Sequence, residues 1–290
     1  MTLALQSSFE QFALPHPSGS GELVISVART DAAAPAGSVP VLVVLDGDIG
    51  AGPAAEIARL RGVSGQLPAP MVVAVGYGLT DFLAFAQART ADLTPPMSEA
   101  GRAAMGALSG FVGEQDGGAD AFLTFLAGPL RAAITARFPE ASPTEHVLFG
   151  HSLSGLFTAY ALLTRPEAFA GFCANSPSLW WDGFSVLRLL PAFKDKIASL
   201  ASKPSALIGV GGREQDAPTK VPTGLPMSLE EVQAMVAASR MVDAAVEFAG
   251  SLRDAGLTDV ASVVFADEDH GSVIVPALGR AVALAAPANA

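Results

Sequence analysis

Apolar and polar positions along the chain follow patterns that predict strands and helices. Residues 7–14 and 22–29 alternate between the two classes around a cluster of Pro, Gly and Ser, which predicts an antiparallel hairpin. Six later apolar runs predict strands, and most of them are continuous enough for burial on both faces. These runs are residues 41–45, 71–75, 147–149, 169–174, 206–210 and 260–266.

Helical patterns alternate with these strands. Apolar spacing of three and four residues predicts a helix over 119–137, and further helices are predicted at 54–60, 187–200 and 228–256. Ser228 and Glu231 form a capping box at the start of the last of these. Residues 78–118 are weakly patterned and predict a long irregular segment. The alternation predicts an α/β fold with a mostly parallel sheet of about eight strands and helices on both faces.

Composition and charge narrow the classes of partner. The 290 residues are half apolar and 16% charged, which suits a single domain over 1–290 without a separate cap domain. The net charge of −11 argues against nucleic acid or an anionic membrane surface as a partner. No apolar run is long enough to span a bilayer. The oligomeric state cannot be read from these features.

The ends and the cysteine content bear on location. The first six residues lack a basic segment followed by an apolar core, so no signal peptide is predicted and the cytoplasm is the expected location. Cys173, the single cysteine, lies in an apolar run and is expected to be a buried structural thiol.

The stretch 147–156 predicts the chemistry. An apolar strand ends at Gly150, Ser152 follows between small residues, and a helical pattern begins after Gly155. This is the layout of a nucleophile elbow, a sharp strand-to-helix turn that exposes a serine hydroxyl. The usual Gly-x-Ser-x-Gly pattern has Gly where this chain has Ser154, so the motif is weakened. A buried strand-to-helix connection is the alternative interpretation.

A serine nucleophile needs a base, and the chain has four histidines. His16 lies between two prolines in the predicted hairpin, and His146 enters the elbow strand at its amino end. His151 lies inside the elbow, where its ring is expected to point away from the serine. His270 follows the carboxyl end of a late strand, where functional groups gather in open α/β sheets. We therefore predict His270 as the base.

A carboxylate must orient the histidine. Glu214, after the strand 206–210, has the position that an α/β-hydrolase acid occupies in the chain, and Asp216 remains a rival. Residues 267–269 are acidic but adjoin His270 in sequence and are interpreted as a solvated loop. The oxyanion hole should use the backbone N–H of Leu153 and that of Asp48, although 46–48 also fits a plain turn.

Several motifs together resemble one family of α/β-hydrolases. They are Asp-Gly-Asp at 46–48 with the strand before it, the stretches 89–95, 117–123 and 150–157, Ser-Pro-Ser-Leu-Trp-Trp at 176–181, and Asp-His-Gly-Ser at 269–272. The chain is similar to the esterases that include S-formylglutathione hydrolases, feruloyl esterases, mycolyltransferases and siderophore trilactone esterases, and most similar to the siderophore-esterase-like bacterial branch. The resemblance implies Ser152 as nucleophile, His270 as base, and oxyanion donors at Leu153 and Asp48.

The resemblance also bears on substrate binding. Leu93 stands where siderophore-type members tend to carry Tyr, which argues against an aromatic siderophore. Arg89 could hold a substrate carboxylate or phenolate, or could pair with Asp92. Trp180 and Trp181 could form a wall of the substrate pocket or could pack in the core.

These observations predict a serine esterase that works through an acyl-enzyme on a small or medium ester. No metal and no organic cofactor is required. Residues 78–118 and 213–227 are expected to border the site. An acyltransferase with the same residues, and a non-catalytic binding protein on a hydrolase scaffold, are the alternatives.

Overall fold

The alternating N-terminal segments form the predicted hairpin. In the computed structural model, which describes residues 7–63, 68–106, 109–221 and 227–287, β1 (Glu10–Pro15) pairs antiparallel with β2 (Glu22–Ala28). The first six residues, on which the expected absence of a signal peptide depends, lie outside the described residues, as do 107–108 and 222–226 of the predicted border of the site.

The remaining predicted strands complete one eight-stranded sheet. They are β3 (Val39–Val44), β4 (Met71–Gly76), β5 (Ala141–His151), β6 (Gly171–Asn175), β7 (Ser205–Gly211) and β8 (Val260–Phe265). The order across the sheet is β1-β2-β4-β3-β5-β6-β7-β8, antiparallel up to the β2–β4 pair and parallel from β4 to β8. The predicted fold class is confirmed.

The helices connect these strands and cover both faces of the sheet. They are α1 (Gly47–Val63), α2 (Phe82–Leu93), α3 (Glu99–Ala104), α4 (Ser109–Val112), α5 (Ala119–Phe125), α6 (Arg131–Arg137), α7 (Leu153–Thr164), α8 (Trp181–Phe184), α9 (Leu190–Ser199), α10 (Leu229–Ser239), α11 (Met241–Asp254) and α12 (Ile274–Ala285). A π-helical turn, Leu126–Leu130, joins α5 to α6, so the predicted helix over 119–137 is nearly continuous. No helix in the described ranges is long and apolar enough to cross a membrane.

Two sequence predictions of helical structure were wrong, and one predicted helix is longer than expected. The segment 78–118 is not a long irregular loop, because α2, α3 and α4 lie within it, and Asp81 caps α2 through its side chain. The predicted helix over 228–256 is broken at Arg240, whose φ of 46° is left-handed and ends α10 before α11 begins. The helix near residue 54 begins earlier, at Gly47, so Asp48 lies in its first turn.

Alternation along the central strands produces two hydrophobic cores. Val41 and Val43 face a large cluster, while Leu42 and Val44 face a smaller one formed with α1 and α12. Both faces of β3 are therefore buried, as its uninterrupted apolar sequence predicts. The carboxyl ends of the strands remain free to carry polar groups.

Candidate active site

Three turns at the carboxyl edge of the sheet have unusual backbone conformations. Asp46 after β3, Ser152 after β5 and Ser176 after β6 have φ values of 51°, 63° and 42°. Non-glycine residues with positive φ are uncommon and cluster at functional sites, because surrounding structure must offset their strain. The three neighbouring strands therefore place strained turns side by side.

The turn at Ser152 has the geometry of the predicted elbow. Ser152 has φ 63° and ψ −119° and separates β5 directly from α7. A Cβ on Gly150 would lie 2.0 Å from the carbonyl oxygen of Ser154, and one on Gly155 would lie 2.6 Å from the carbonyl oxygen of Asn175. Glycine is required at both positions, which accounts for the small-residue pattern around the serine.

His270 and Glu214 meet although 56 residues separate them. Nδ1 of His270 lies 2.6 Å from Oε2 of Glu214, whose side chain is 1% exposed. Oε1 of Glu214 accepts hydrogen bonds from the backbone N–H of Gly211 at 2.7 Å and from the Ser176 hydroxyl at 2.5 Å. Asp216, the rival acid, is exposed and lies 3.6 Å from Arg213 instead. Of the two candidates, Glu214 contacts the histidine.

Ser152 and His270 line the same small cavity. Its volume is about 200 Å³, and Ile49, Arg89 and Ile274 also contribute to its wall. The Ser152 hydroxyl lies 3.5 Å from that of Ser178, and within the described residues it makes no direct hydrogen bond to the His270 ring. Such bonds between nucleophile and base are often loose without substrate and tighten when it binds.

His151 packs against the candidate base, which the sequence did not predict. The two imidazole rings lie 4.5 Å apart between centroids, and Nδ1 of His151 lies 2.8 Å from the Asn175 amide. Burial, followed by the neighbouring His270 ring and the charge of Arg89, lowers the pKa of His151 to about 3. His151 is therefore neutral near pH 7 and adds no charge beside His270.

The two predicted oxyanion donors lie in the first turns of helices. Leu153 begins α7, and Asp48 is the second residue of α1. N–H groups in a first helical turn have no acceptor within the helix, so they are free to bind a developing negative charge. The Asp48 side chain accepts hydrogen bonds from the backbone of Tyr77 at 2.7 Å and of Gly78 at 2.9 Å, which fixes this turn against β4.

Arg89 pairs with a different acid from the one that its sequence neighbourhood indicates. Its guanidinium makes two hydrogen bonds to Asp46, at 3.0 and 2.5 Å, and it approaches the His151 carbonyl oxygen at 3.5 Å. Asp92 instead bonds His16 at 2.8 Å, and burial raises the pKa of its carboxyl group. The pairing of Arg89 with Asp92 was therefore wrong. Arg89 does line the small cavity, and a role in binding substrate stays a prediction.

The two tryptophans occupy different environments. Trp181 is 1% exposed and belongs to the main core. Of the two alternatives, pocket wall or core, Trp181 therefore has the second. Trp180 is partly exposed and lines a cavity of about 500 Å³. Leu93, the departure from the siderophore-type pattern, is 1% exposed and packs in the core.

The described residues contain no group of three or more His, Cys, Asp or Glu side chains arranged to hold a metal ion. Cys173 is fully buried in the smaller core, and burial raises the pKa of its thiol beyond the usual range.

Comparisons with known proteins identify the family of the chain. The family model described as "Putative esterase" matches residues 27–247. The chain is 33% identical over 251 residues to a siderophore triacetylfusarinine C esterase of Aspergillus fumigatus, with 86% of this chain and 82% of that protein covered. It is 36% identical to a siderophore enterobactin esterase of Emericella nidulans, covering 73% and 70% of the two chains.

A solved structure extends the agreement to the fold. The siderophore hydrolase EstA from Aspergillus nidulans superposes with a TM-score of 0.80 at 30% identity, covering 97% of this chain and 95% of that one. The family model covers most of the chain, and the two relatives compared by sequence are named siderophore esterases. The chain therefore belongs to this esterase family and is an ester hydrolase.

Proposed function

We propose that this chain is a serine esterase in which Ser152, His270 and Glu214 act as nucleophile, base and orienting acid. The observation that carries the proposal is the 2.6 Å contact between Glu214 and Nδ1 of His270, beside a cavity that both Ser152 and His270 line. That contact supports a neutral ring with its proton on Nδ1, which would leave Nε2 as the acceptor for the serine proton.

The proposed reaction has two halves. The Ser152 oxygen attacks the ester carbonyl while Nε2 of His270 takes the hydroxyl proton. The resulting oxyanion is bound by the N–H groups of Leu153 and Asp48. Collapse of this intermediate breaks the bond to the alcohol, which receives the proton from His270. Water then attacks the acyl-enzyme in the same way, and the acid is released.

Glu214 stabilises the imidazolium that forms during both halves. Its second oxygen is already bonded to Gly211 and Ser176, so the carboxylate is fixed rather than free to rotate. A buried carboxylate that is held by hydrogen bonds does not have to reorient when positive charge appears on its partner. We assign Glu214 rather than Asp216 on this ground.

The proposed substrate is a small-molecule carboxylic ester of the siderophore class. The relatives that the chain matches over most of its length carry names of siderophore esterases. The Leu93 argument against an aromatic siderophore loses weight, because Leu93 is buried in the core. We also propose one domain for the chain, since all eight strands of the described residues form one sheet.

The test compares wild type with Ser152→Ala on p-nitrophenyl esters, beside labelling by a serine-directed phosphonate. We expect hydrolysis and labelling of wild type, and neither in the variant. Equal hydrolysis by both proteins would contradict the assignment of the nucleophile. Product diverted into a new ester when an alcohol is added would favour the acyltransferase, and wild type that is neither active nor labelled would favour a binding protein.

A further inference from the structure

A second cavity, on the side of α3 and α10, is unlike the small one at Ser152. It measures about 500 Å³ and is lined mainly by apolar side chains. We call it the methionine cavity, and its main lining residues are Met105, Trp180, Phe184, Met227, Met235 and Ala238. Its walls come from both segments that the sequence predicted to border the site.

The few polar side chains of the methionine cavity are already bonded within the protein. The carboxylate of Asp182 accepts a hydrogen bond from the Ser98 hydroxyl. The hydroxyl of Ser239 donates to the carbonyl oxygen of Val236 at 2.7 Å. Apart from the Asp182 carboxylate, a ligand would therefore meet mainly apolar surface. Such a cavity favours ligands that bury apolar surface when they bind.

A short turn lies between the methionine cavity and the nucleophile. The N–H of Ser178 donates to the carbonyl oxygen of Ser152 at 3.1 Å, and their hydroxyls lie 3.5 Å apart. The N–H of Trp181 bonds the carbonyl oxygen of Ser178 at 3.1 Å, so the turn is wound against the elbow. Trp180 lies on this turn and forms part of the wall of the methionine cavity.

The two cavities differ in what they can hold. Pockets for small molecules usually measure about 300–1,000 Å³. The cavity at Ser152, at about 200 Å³, has room for the reacting carboxyl group and little more, whereas the methionine cavity is large enough for a chain of several carbons. Methionine side chains are unbranched and adaptable, which suits apolar groups of varied shape.

We propose that the methionine cavity binds an apolar chain of the ester while its carboxyl group reacts at Ser152. This inference rests on the proposed serine esterase function and narrows its substrates to esters with a medium-length apolar acyl or alcohol group. Ala238 lines the cavity from α10 and is itself exposed, so a larger side chain there would occupy part of the opening of the cavity.

The experiment fills the cavity and measures chain-length preference. In wild type, kcat/KM should rise up to about fourfold for each buried methylene, from p-nitrophenyl acetate to the octanoate. Ala238→Phe should lower kcat/KM for the octanoate at least tenfold and leave that for the acetate within twofold. Ala237→Phe is the matched control, since Ala237 is exposed on the same helix and does not line the cavity. A parallel series of alkyl acetates tells whether the chain belongs to the acid or to the alcohol.

Unchanged preference in Ala238→Phe for both series, or an equal change in Ala237→Phe, would overturn the proposal. A second measurement needs no turnover. Calorimetry measures the affinity of the Ser152→Ala variant for 1-octanol. That affinity should fall at least tenfold when Ala238→Phe is added to the variant. Equal affinity of 1-octanol for the variants with and without Ala238→Phe would also overturn the proposal. Lack of ester hydrolysis by wild type would instead count against the proposed function, and the octanol result would still decide the role of the cavity.

Discussion

The hydroxyl of Ser154 lies 2.7 Å from Oδ2 of Asp46 and joins the turn after β3 to the elbow after β5. The same hydroxyl oxygen accepts a hydrogen bond from the N–H of His151 at 2.8 Å, and Arg89 pairs with the same carboxylate. These two turns carry the candidate oxyanion donors Asp48 and Leu153. The serine that departs from the usual glycine of the motif therefore connects the two halves of the site.

Ser154→Ala should weaken both stability and catalysis. A hydrogen bond to a charged acceptor contributes about 1.5–3 kcal/mol, so we expect a loss of that order in the free energy of unfolding by urea. If the bond also fixes the spacing of the two donors, kcat should fall while KM changes little. Ser251→Ala is the control, since that exposed hydroxyl bonds only a helical carbonyl oxygen. Equal behaviour of the two variants would contradict the role of Ser154.

Glu214→Gln and Asp216→Asn separate the two candidate acids. Glutamine keeps the shape of Glu214 but removes the charge that stabilises the imidazolium, so kcat should fall about 10²–10⁴-fold. Asp216→Asn should stay within twofold of wild type, because Asp216 is exposed and lies beside Arg213 rather than His270. Steady-state kinetics on one p-nitrophenyl ester decide the matter. Small and equal losses in both variants would mean that neither acid orients His270.

The candidate triad could be predicted from the sequence because its members follow strands whose apolar runs are continuous. Ser152, Glu214 and His270 each come just after such a run, so their arrival at one edge follows from parallel pairing alone. The six strands were predictable for the same reason, whereas the hairpin was predictable from the alternation of apolar and polar residues over 7–14 and 22–29.

Contacts between segments that are distant along the chain could not be predicted from the sequence. Arg89 has an acid three residues away, yet it pairs with Asp46, 43 positions earlier, because α2 packs beside the turn after β3. The break at Arg240 was missed because a left-handed arginine leaves no mark in an apolar pattern. The packing of His151 on His270 likewise depends on the geometry of two turns. Nothing local to either residue indicates it.

The dependence of kcat/KM on pH should show one protonation on its acid side. His270 must be unprotonated to accept the serine proton, so log(kcat/KM) falls with a slope of one as pH drops through the pKa of the base in the free enzyme. His151 adds no second step in that range, because its pKa is lowered to about 3. The profile is measured with a neutral ester from pH 8 to pH 4.5. A slope of two, or a flat profile, would contradict this assignment.

Gly155→Ala should destabilise the elbow strongly. The added Cβ would lie 2.6 Å from the carbonyl oxygen of Asn175 and 3.0 Å from Cα of Pro177, both of them backbone atoms that cannot move aside cheaply. We expect a loss of about 2–4 kcal/mol in the free energy of unfolding, together with most of the activity. Gly250→Ala is the matched control, because a Cβ there meets nothing within 4 Å in the middle of α11. That variant should gain about 0.5–1 kcal/mol. Similar effects at the two positions would refute the close approach at the elbow.

His146 should make the folded protein sensitive to acid at a point far from the chemistry. Its ring is buried and donates to the Ser142 carbonyl oxygen at 2.7 Å, and burial together with the charge of Arg131 lowers its pKa to about 4. Because the unfolded chain takes up this proton near pH 6.5, stability is fully present above that pH. It is lost as pH falls from about 6.5 to 4, by up to about 1.4 kcal/mol per unit. His146→Gln keeps a donor for Ser142 but cannot titrate. Urea unfolding at pH 5, 6, 7 and 8 should therefore show a shallower decline in the variant below pH 6.5 and parallel curves above pH 7, and an unchanged decline would rule out a neutral, buried His146.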